Sequence, residues 1–147
     1  MDLVTNRKAR HDYHIVESFE AGIALVGTEV KSCRGRQISL QEGFISIEKG
    51  EAWLENVHIA KYEQGNQFNH NPLRRRKLLL HKKEITRLVK QVDQKGMTVI
   101  PLSMYLKRGK VKVQVGLCKG KDKADKRESM KKREESIKIQ RMKNTKI

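Results

Sequence analysis

Gly43-Phe44-Ile45-Ser46-Ile47-Glu48, Lys49-Gly50, Glu51-Ala52-Trp53-Leu54-Glu55-Asn56-Val57-His58-Ile59 reads as a β-hairpin. Two runs with partial period-2 alternation flank a short turn that contains a glycine. On this reading Trp53, Val57 and Ile59 share one face, and the sole Trp belongs to the core rather than to a base-stacking platform. A second hairpin runs from Met97 to Leu106, turns at Lys107-Arg108-Gly109-Lys110, and returns with Val111, Val113, Val115 and Leu117 pointing inward. Pro101 cannot donate to a ladder, so its strand lies at a sheet edge or is bulged there.

Working outward, residues 1–10 read as a loose basic arm containing Asn6-Arg7-Lys8-Ala9-Arg10, and order is expected from about His14. Gly22 permits a bend or bulge, and Ile23-Ala24-Leu25-Val26 continues the strand. Thr28 is the expected N-cap of a short helix that carries Glu29 in its first turn and stops at Gly35. From Tyr62 to Lys77 the chain turns polar, and three consecutive Arg end a long surface loop of the kind that often carries function. At least two of Leu78, Leu79 and Leu80 are expected in the core. Ile85, Leu88, Val89 and Val92 then fall at helical spacing, with Gly96 as the stop. Short antiparallel strands with an inserted helix point to a mainly β fold: an OB-like barrel with two or three helices first, a ferredoxin-like or split sheet as the competitor. Residues 1–118 would form this domain and 119–147 a basic tail.

Charge narrows the function. The 147 residues carry a formal charge of +16, with 12 Lys or Arg against 5 Asp or Glu in residues 119–147, and 21 against 12 before them. Both parts should seek polyanions. Aromatic residues make up only 5%, so phosphate contacts and shape should outweigh base stacking. The cluster Arg74-Arg75-Arg76-Lys77, followed by Lys82-Lys83, is the leading phosphate-binding candidate. No glycine-rich phosphate loop, His-Glu-x-x-His or paired Asp site occurs, so no catalysis, cofactor or metal is expected. His11 and His14 diverge on an extended segment, and Cys33 and Cys118 are read as reduced thiols in or near the core. The first 20 residues lack a signal-peptide apolar region and no 18-residue apolar run follows, so a cytoplasmic protein off the membrane is expected.

Asn6-Arg7-Lys8-Ala9-Arg10-His11-Asp12-Tyr13, Phe19-Glu20-Ala21-Gly22-Ile23-Ala24-Leu25, Gly27-Thr28-Glu29-Val30-Lys31-Ser32, Arg76-Lys77-Leu78-Leu79-Leu80-His81-Lys82-Lys83-Glu84-Ile85 and Gly120-Lys121 with Asp125-Lys126-Arg127 together resemble the SmpB family, in order and over nearly the whole chain. The resemblance implies an OB-fold domain that binds the tRNA-like part of tmRNA and delivers it, with elongation factor Tu and GTP, to ribosomes stalled on messages that lack a usable stop codon. It implies a monomer whose tail orders as a helix only when bound, in the vacant mRNA channel past the decoding centre. The tmRNA contacts expected are Glu20, Gly22, Arg76, Lys77, Leu79, His81 and Lys82. The expected ribosome contacts are Lys121, Asp125, Lys126, Arg127, Lys131, Lys132, Arg133, Arg141, Met142 and Lys143. Arg141 departs from the family, which often has an aliphatic residue there, and is expected to pair with rRNA phosphate. Physically, Asp122/Lys126, Glu128/Lys132 and Glu134/Lys138 place acid four positions before base, worth about 0.2–0.5 kcal/mol each in a helix. That cannot overcome nucleation without a partner. The residues alone leave open a structural ribosomal protein or a general OB-fold RNA binder.

Overall fold

The computed structural model describes residues 2–64 and 69–120; the expectations placed on 121–147 lie outside these described residues. In chain order the elements are β1 (Asp2–Thr5), α1 (Arg7–Asp12), β2 (Tyr13–Ile23), α2 (Gly27–Arg34), β3 (Ile38–Ser39), β4 (Phe44–Glu48), β5 (Glu51–Glu55), β6 (His58–Ile59), β7 (Arg76–Leu79), α3 (Lys82–Lys95), β8 (Thr98–Lys107) and β9 (Lys110–Gly120). Seven strands form one antiparallel sheet in the order β1-β8-β9-β2-β7-β5-β4, and β3 pairs with β6. The sheet curls so that β4 comes against β8. Its concave side holds Ala21, Leu54, Leu78, Met104, Val113, Val115 and Leu117, each at most 1% exposed. α3 sends Ile85 and Leu88 into the core and stops at Gly96, whose φ of 65° is the left-handed value that favours glycine.

Both hairpins form where expected. Ile45 pairs with Leu54 and Ser46 with Trp53 across the Lys49-Gly50 turn, and Leu106 pairs with Val111 across Arg108-Gly109. All four turn residues have positive φ, as a two-residue turn matched to strand twist demands. Trp53 corrects the expected core placement. Ala52 and Leu54 are the buried residues of β5, and Trp53 is half-buried on the convex side. The cause is Asn56, whose φ of 58° breaks the strand after Glu55. The inward parity therefore shifts from even numbers to odd, and Val57 and Ile59 are buried while Trp53 is not.

The N-terminus is a second correction: within the segment expected as a loose arm over residues 1–10, residues 2–5 and 7–10 are ordered into elements. Asp2–Thr5 pairs with β8, and Arg7–Asp12 is helical. Asn6 ties the two down. Its Oδ1 accepts from Ala9 N at 3.1 Å, capping α1, while its Nδ2 donates to Pro101 O at 2.9 Å and Leu40 O at 3.3 Å. Its own N–H donates to Leu102 O at 2.8 Å. The Pro101 strand turns out to be bulged rather than an edge: β8 lies between β1 and β9, and the register slips between Pro101 and Ser103. Asn6 collects the carbonyls that this bulge displaces.

Smaller differences have local causes. β2 runs straight through Gly22, and its bulge falls between Ile15 and Glu17. Val26, not Thr28, occupies the N-cap position of α2, because the Glu29 carboxylate reaches back to accept from Val26 N at 2.9 Å. β9 extends beyond Cys118, pairing Lys119 with His14 and Gly120 with Tyr13, so its strand runs two residues past the expected boundary at 118. Cys33 and Cys118 are buried free thiols, as read, and burial pushes each up to about 12. Replacing Asn6 with Ala removes a cap worth about 1 kcal/mol and leaves buried carbonyls unpaired at about 1–3 kcal/mol. We expect Asn6→Ala to lower the urea midpoint accordingly, by about 2–4 kcal/mol of stability in total; an unchanged midpoint would mean that the N-terminal segment is held by β1 pairing alone.

Candidate nucleic-acid interface

Antiparallel register assembles the convex face. Tyr105 of β8 pairs with Lys112 of β9, Lys112 with Gly22 of β2, and Gly22 with Leu79 of β7, so a single row crosses four strands. Glu20 lies two positions from Gly22 on the same side of β2, beside Gln114. Sequence alternation explains the outward sets: Lys110, Lys112 and Gln114 interleave with Val111, Val113 and Val115, and Lys77 and Leu79 with Arg76 and Leu78. Leu79 is 56% exposed, an apolar side chain left in water on a basic surface. A Cβ at position 22 would lie 3.3 Å from Leu79 Cβ and Cδ1, so the glycine keeps the surface between Glu20 and Leu79 shallow.

Glu20 is already held. Tyr105 donates its hydroxyl to Glu20 Oε2 at 2.5 Å, and Lys107 Nζ lies 3.2 Å from Oε1 and 3.4 Å from Oε2. The Tyr105 hydrogen bond first, then that of Lys107, holds the carboxyl below the usual carboxylate range. Conversely, burial and then Glu20 push the Tyr105 hydroxyl up, so it remains a donor. His81, exposed, stands at the N-cap of α3 two residues beyond Leu79, and exposed Lys82 opens the helix. Five expected contacts thus share one region: Glu20, Gly22 and Leu79 in the sheet, His81 and Lys82 at its rim. Tyr105, Lys107 and Lys112 were missed. Their signal is the outward parity of the second hairpin, complementary to its inward valines.

The arginine cluster requires correction. Arg76 is fully buried, with its Nε 2.7 Å from Glu29 Oε2 and its other nitrogens donating to Val57 O at 2.7 Å and Pro72 O at 3.1 Å. It has no surface to offer a phosphate. The same parity that turns Leu79 outward turns Arg76 inward, and Glu29 of α2, also 0% exposed, neutralises it there. Arg74 completes this group, donating to Glu29 Oε1 at 2.7 Å. Arg75 pairs with Glu48 and Glu55 at 2.8 and 3.0 Å and stacks 4.4 Å from the Trp53 ring centroid. Lys77, about two-fifths exposed, pairs with Glu51 at 2.8 Å and stays within reach of a ligand. The run that looked like a phosphate clamp is largely an internal charge system, and free outward charge comes instead from Lys82, Lys110 and Lys112. Leu78 is buried and Leu80 packs against the core, so two of the three leucines are inside as expected.

The loop before β7 is tied at its base. His70 Nε2 donates to Ile59 O at 2.8 Å, leaving Nδ1 to accept from the Thr28 hydroxyl at 2.8 Å. Asn69 forms two hydrogen bonds with the Tyr62 backbone, and Lys31 Nζ sits 5.3 Å from the Tyr62 ring centroid. Among the described residues no group of His, Cys, Asp and Glu is arranged to hold a metal.

Burial opposes the charge of Glu29, but hydrogen bonds from Arg74, Val26 N and Arg76 outweigh it and hold the carboxyl below its ordinary range. Its stabilising share is therefore whole above about pH 4.3, the unfolded value, and is lost as pH falls toward the depressed folded value. Urea midpoints across the acid range should decline less steeply for Glu29→Gln than for the parent chain. Arg76→Ala should cost about 3–5 kcal/mol by stranding a buried carboxylate, whereas Arg75→Ala should cost about 1 kcal/mol or less; equal losses in the two variants would contradict the buried pairing.

With this geometry in hand, comparison with known proteins is specific. A family profile described as "SmpB protein" matches residues 3–145. An SsrA-binding protein of Levilactobacillus brevis is 59% identical over 140 residues, covering 95% of this chain and 89% of the relative. One from Ligilactobacillus salivarius is 55% identical over 139 residues, covering 95% and 90%. A solved structure described as "tmRNA-SmpB: a journey to the center of the bacterial ribosome" superposes with a TM-score of 0.69 at 50% identity, covering 86% of this chain and 93% of that one. A basic antiparallel sheet domain matched by this profile and these relatives along nearly its whole length belongs to the SmpB family.

Proposed function

We propose that this chain binds the tRNA-like domain of tmRNA, the SsrA RNA, and delivers it to stalled ribosomes for trans-translation. The observation that carries this reading is the pairing of SsrA-binding relatives, similar over nearly the whole chain, with a solved tmRNA-SmpB ribosome structure of the same fold. The convex face supplies a physical basis. Lys112, Lys110 and Lys82 attract phosphate without sequence preference. Leu79 offers an apolar rest for an unstacked base or ribose, and Glu20 with His81 offers polar contacts that favour nucleotides over bare phosphate.

The tail reading follows from charge and from what the family does. Residues 121–147 lie beyond the end of β9, and their net positive charge suits an RNA-lined channel. In this proposal Lys121, Asp125, Lys126, Arg127, Lys131, Lys132, Arg133, Arg141, Met142 and Lys143 contact the small subunit near the decoding centre, where mRNA is missing. Elongation factor Tu with GTP accompanies the complex, and the work is done in the cytoplasm without membrane or catalysis.

The two parts are therefore separable. Ending the chain after Gly120 should leave affinity for the tRNA-like domain within a few-fold and abolish tagging of stalled peptides in a reconstituted translation reaction. Wholesale loss of RNA affinity in that truncation would place the main RNA contact in the tail and sink the division of labour. Leu79→Ala should melt like the parent chain, because the side chain is mostly solvated, and should bind the RNA more weakly.

A further inference from the structure

The proposed RNA face contains an arrangement that phosphate attraction alone does not explain. Glu20 is an acid placed among Lys107, Lys112 and Gln114, on a chain of charge +16. As a bare carboxylate it would repel the phosphates that the lysines attract. A carboxylate has two oxygens with about four acceptor positions. Tyr105 occupies one on Oε2, and Lys107 leans on both oxygens from one side. The Glu20 side chain is still 39% exposed, so acceptor capacity remains open to solvent.

We infer that Tyr105 and Lys107 are positioning residues that hold Glu20 as an ionised acceptor for a neutral N–H or O–H donor of an unpaired nucleotide, making this corner of the face a donor reader rather than a phosphate site. This rests on the RNA-binding reading above. The two partners divide the work. Lys107 supplies the charge that lets an acid sit near phosphate, and Tyr105 supplies direction without charge. Tyr105 is suited to it: Met104 beside it is fully buried, so the strand that carries the phenol is anchored in the core while the hydroxyl stays on the convex side. Two residues along β2, Gly22 leaves the surface low. A ribose or base edge laid over Gly22 meets Leu79 on one side and the partly exposed carboxylate of Glu20 on the other. Losing such a donor contact leaves a polar group unmatched, which is how hydrogen-bonding sites discriminate.

The test is a double-mutant cycle with the full chain and a transcribed tRNA-like domain of tmRNA, binding being measured at several salt concentrations. Tyr105→Phe removes only the hydroxyl. We expect it to melt like the parent chain and to weaken binding about five- to tenfold, the size of one ordinary net hydrogen bond, because the hydroxyl orients the acceptor without touching the RNA itself. The slope of affinity against salt should not change, because no phosphate contact is lost. In a Glu20→Gln background the same substitution should have no further effect beyond about twofold, the mark of two residues acting as one. Three results would overturn the inference: Tyr105→Phe binding as the parent does, its loss multiplying in full with that of Glu20→Gln, or a flattened salt slope. If the parent chain binds the tRNA-like domain no better than an ordinary tRNA, the functional reading falls and takes this one with it. If the parent binds tightly and Tyr105→Phe is neutral, only the role of Tyr105 falls.

Discussion

Glu29 is the constraint on which most of this structure depends. It enters from the first turn of α2, receives Arg74 and Arg76, and caps Val26 N, while its own side chain has no exposure to solvent. A buried ion pair is weak evidence of net stability, since desolvation costs about as much as the attraction returns. Its value here is specification. Arg76 can be buried only if it faces Glu29, and that fixes the parity of β7. Leu78 must then point into the core with Arg76, while Lys77 and Leu79 must point outward. The exposed leucine of the proposed RNA face is thus a consequence of the buried arginine three positions before it. The same arginine donates to the carbonyls of Val57 and Pro72, so it also sets where the long loop returns to the sheet.

The convex face is assembled from residues far apart in the chain by backbone pairing alone. Glu20 and Tyr105 are 85 positions apart, yet meet in a hydrogen bond because β2 and β8 both flank β9. The face combines mobile positive charge, one apolar projection and a restrained acid. Those elements act over different ranges. Charge attracts any nucleic acid across a Debye length, whereas the leucine and the carboxylate act only at contact. In the proposed RNA complex, specificity would lie in the second group, while the lysines would govern rate and salt dependence.

Local signals in the sequence were reliable wherever local chemistry decides. The Lys49-Gly50 and Arg108-Gly109 turns, the α3 stop at Gly96, the inward valines of β9 and the buried cysteines were all legible, because turn geometry and period-2 alternation are written within a few residues. Trp53 was misplaced for an identifiable reason. One residue in the left-handed conformation, Asn56, resets the alternation, and nothing in composition marks which Asn will do so. Asn6 was hidden because its partners are carbonyls of Leu40 and Pro101, 34 and 95 positions away.

By itself the sequence determined the family, the basic character of the RNA-seeking chain, the mainly β fold and the residue set from which the face is drawn, since motifs, charge and alternation are properties of the chain in order. Only the tertiary structure decided how four adjacent basic residues divide their roles. Arg74, Arg75, Arg76 and Lys77 look alike in one dimension, but desolvation separates them: Arg76 is bound to Glu29 in the core, Arg74 shares that carboxylate, Arg75 is stacked on Trp53, and Lys77 remains at the surface. A charge in a sequence carries no record of where its counter-charge will be, and Glu29 reaches Arg76 from 47 positions away only after the chain has folded.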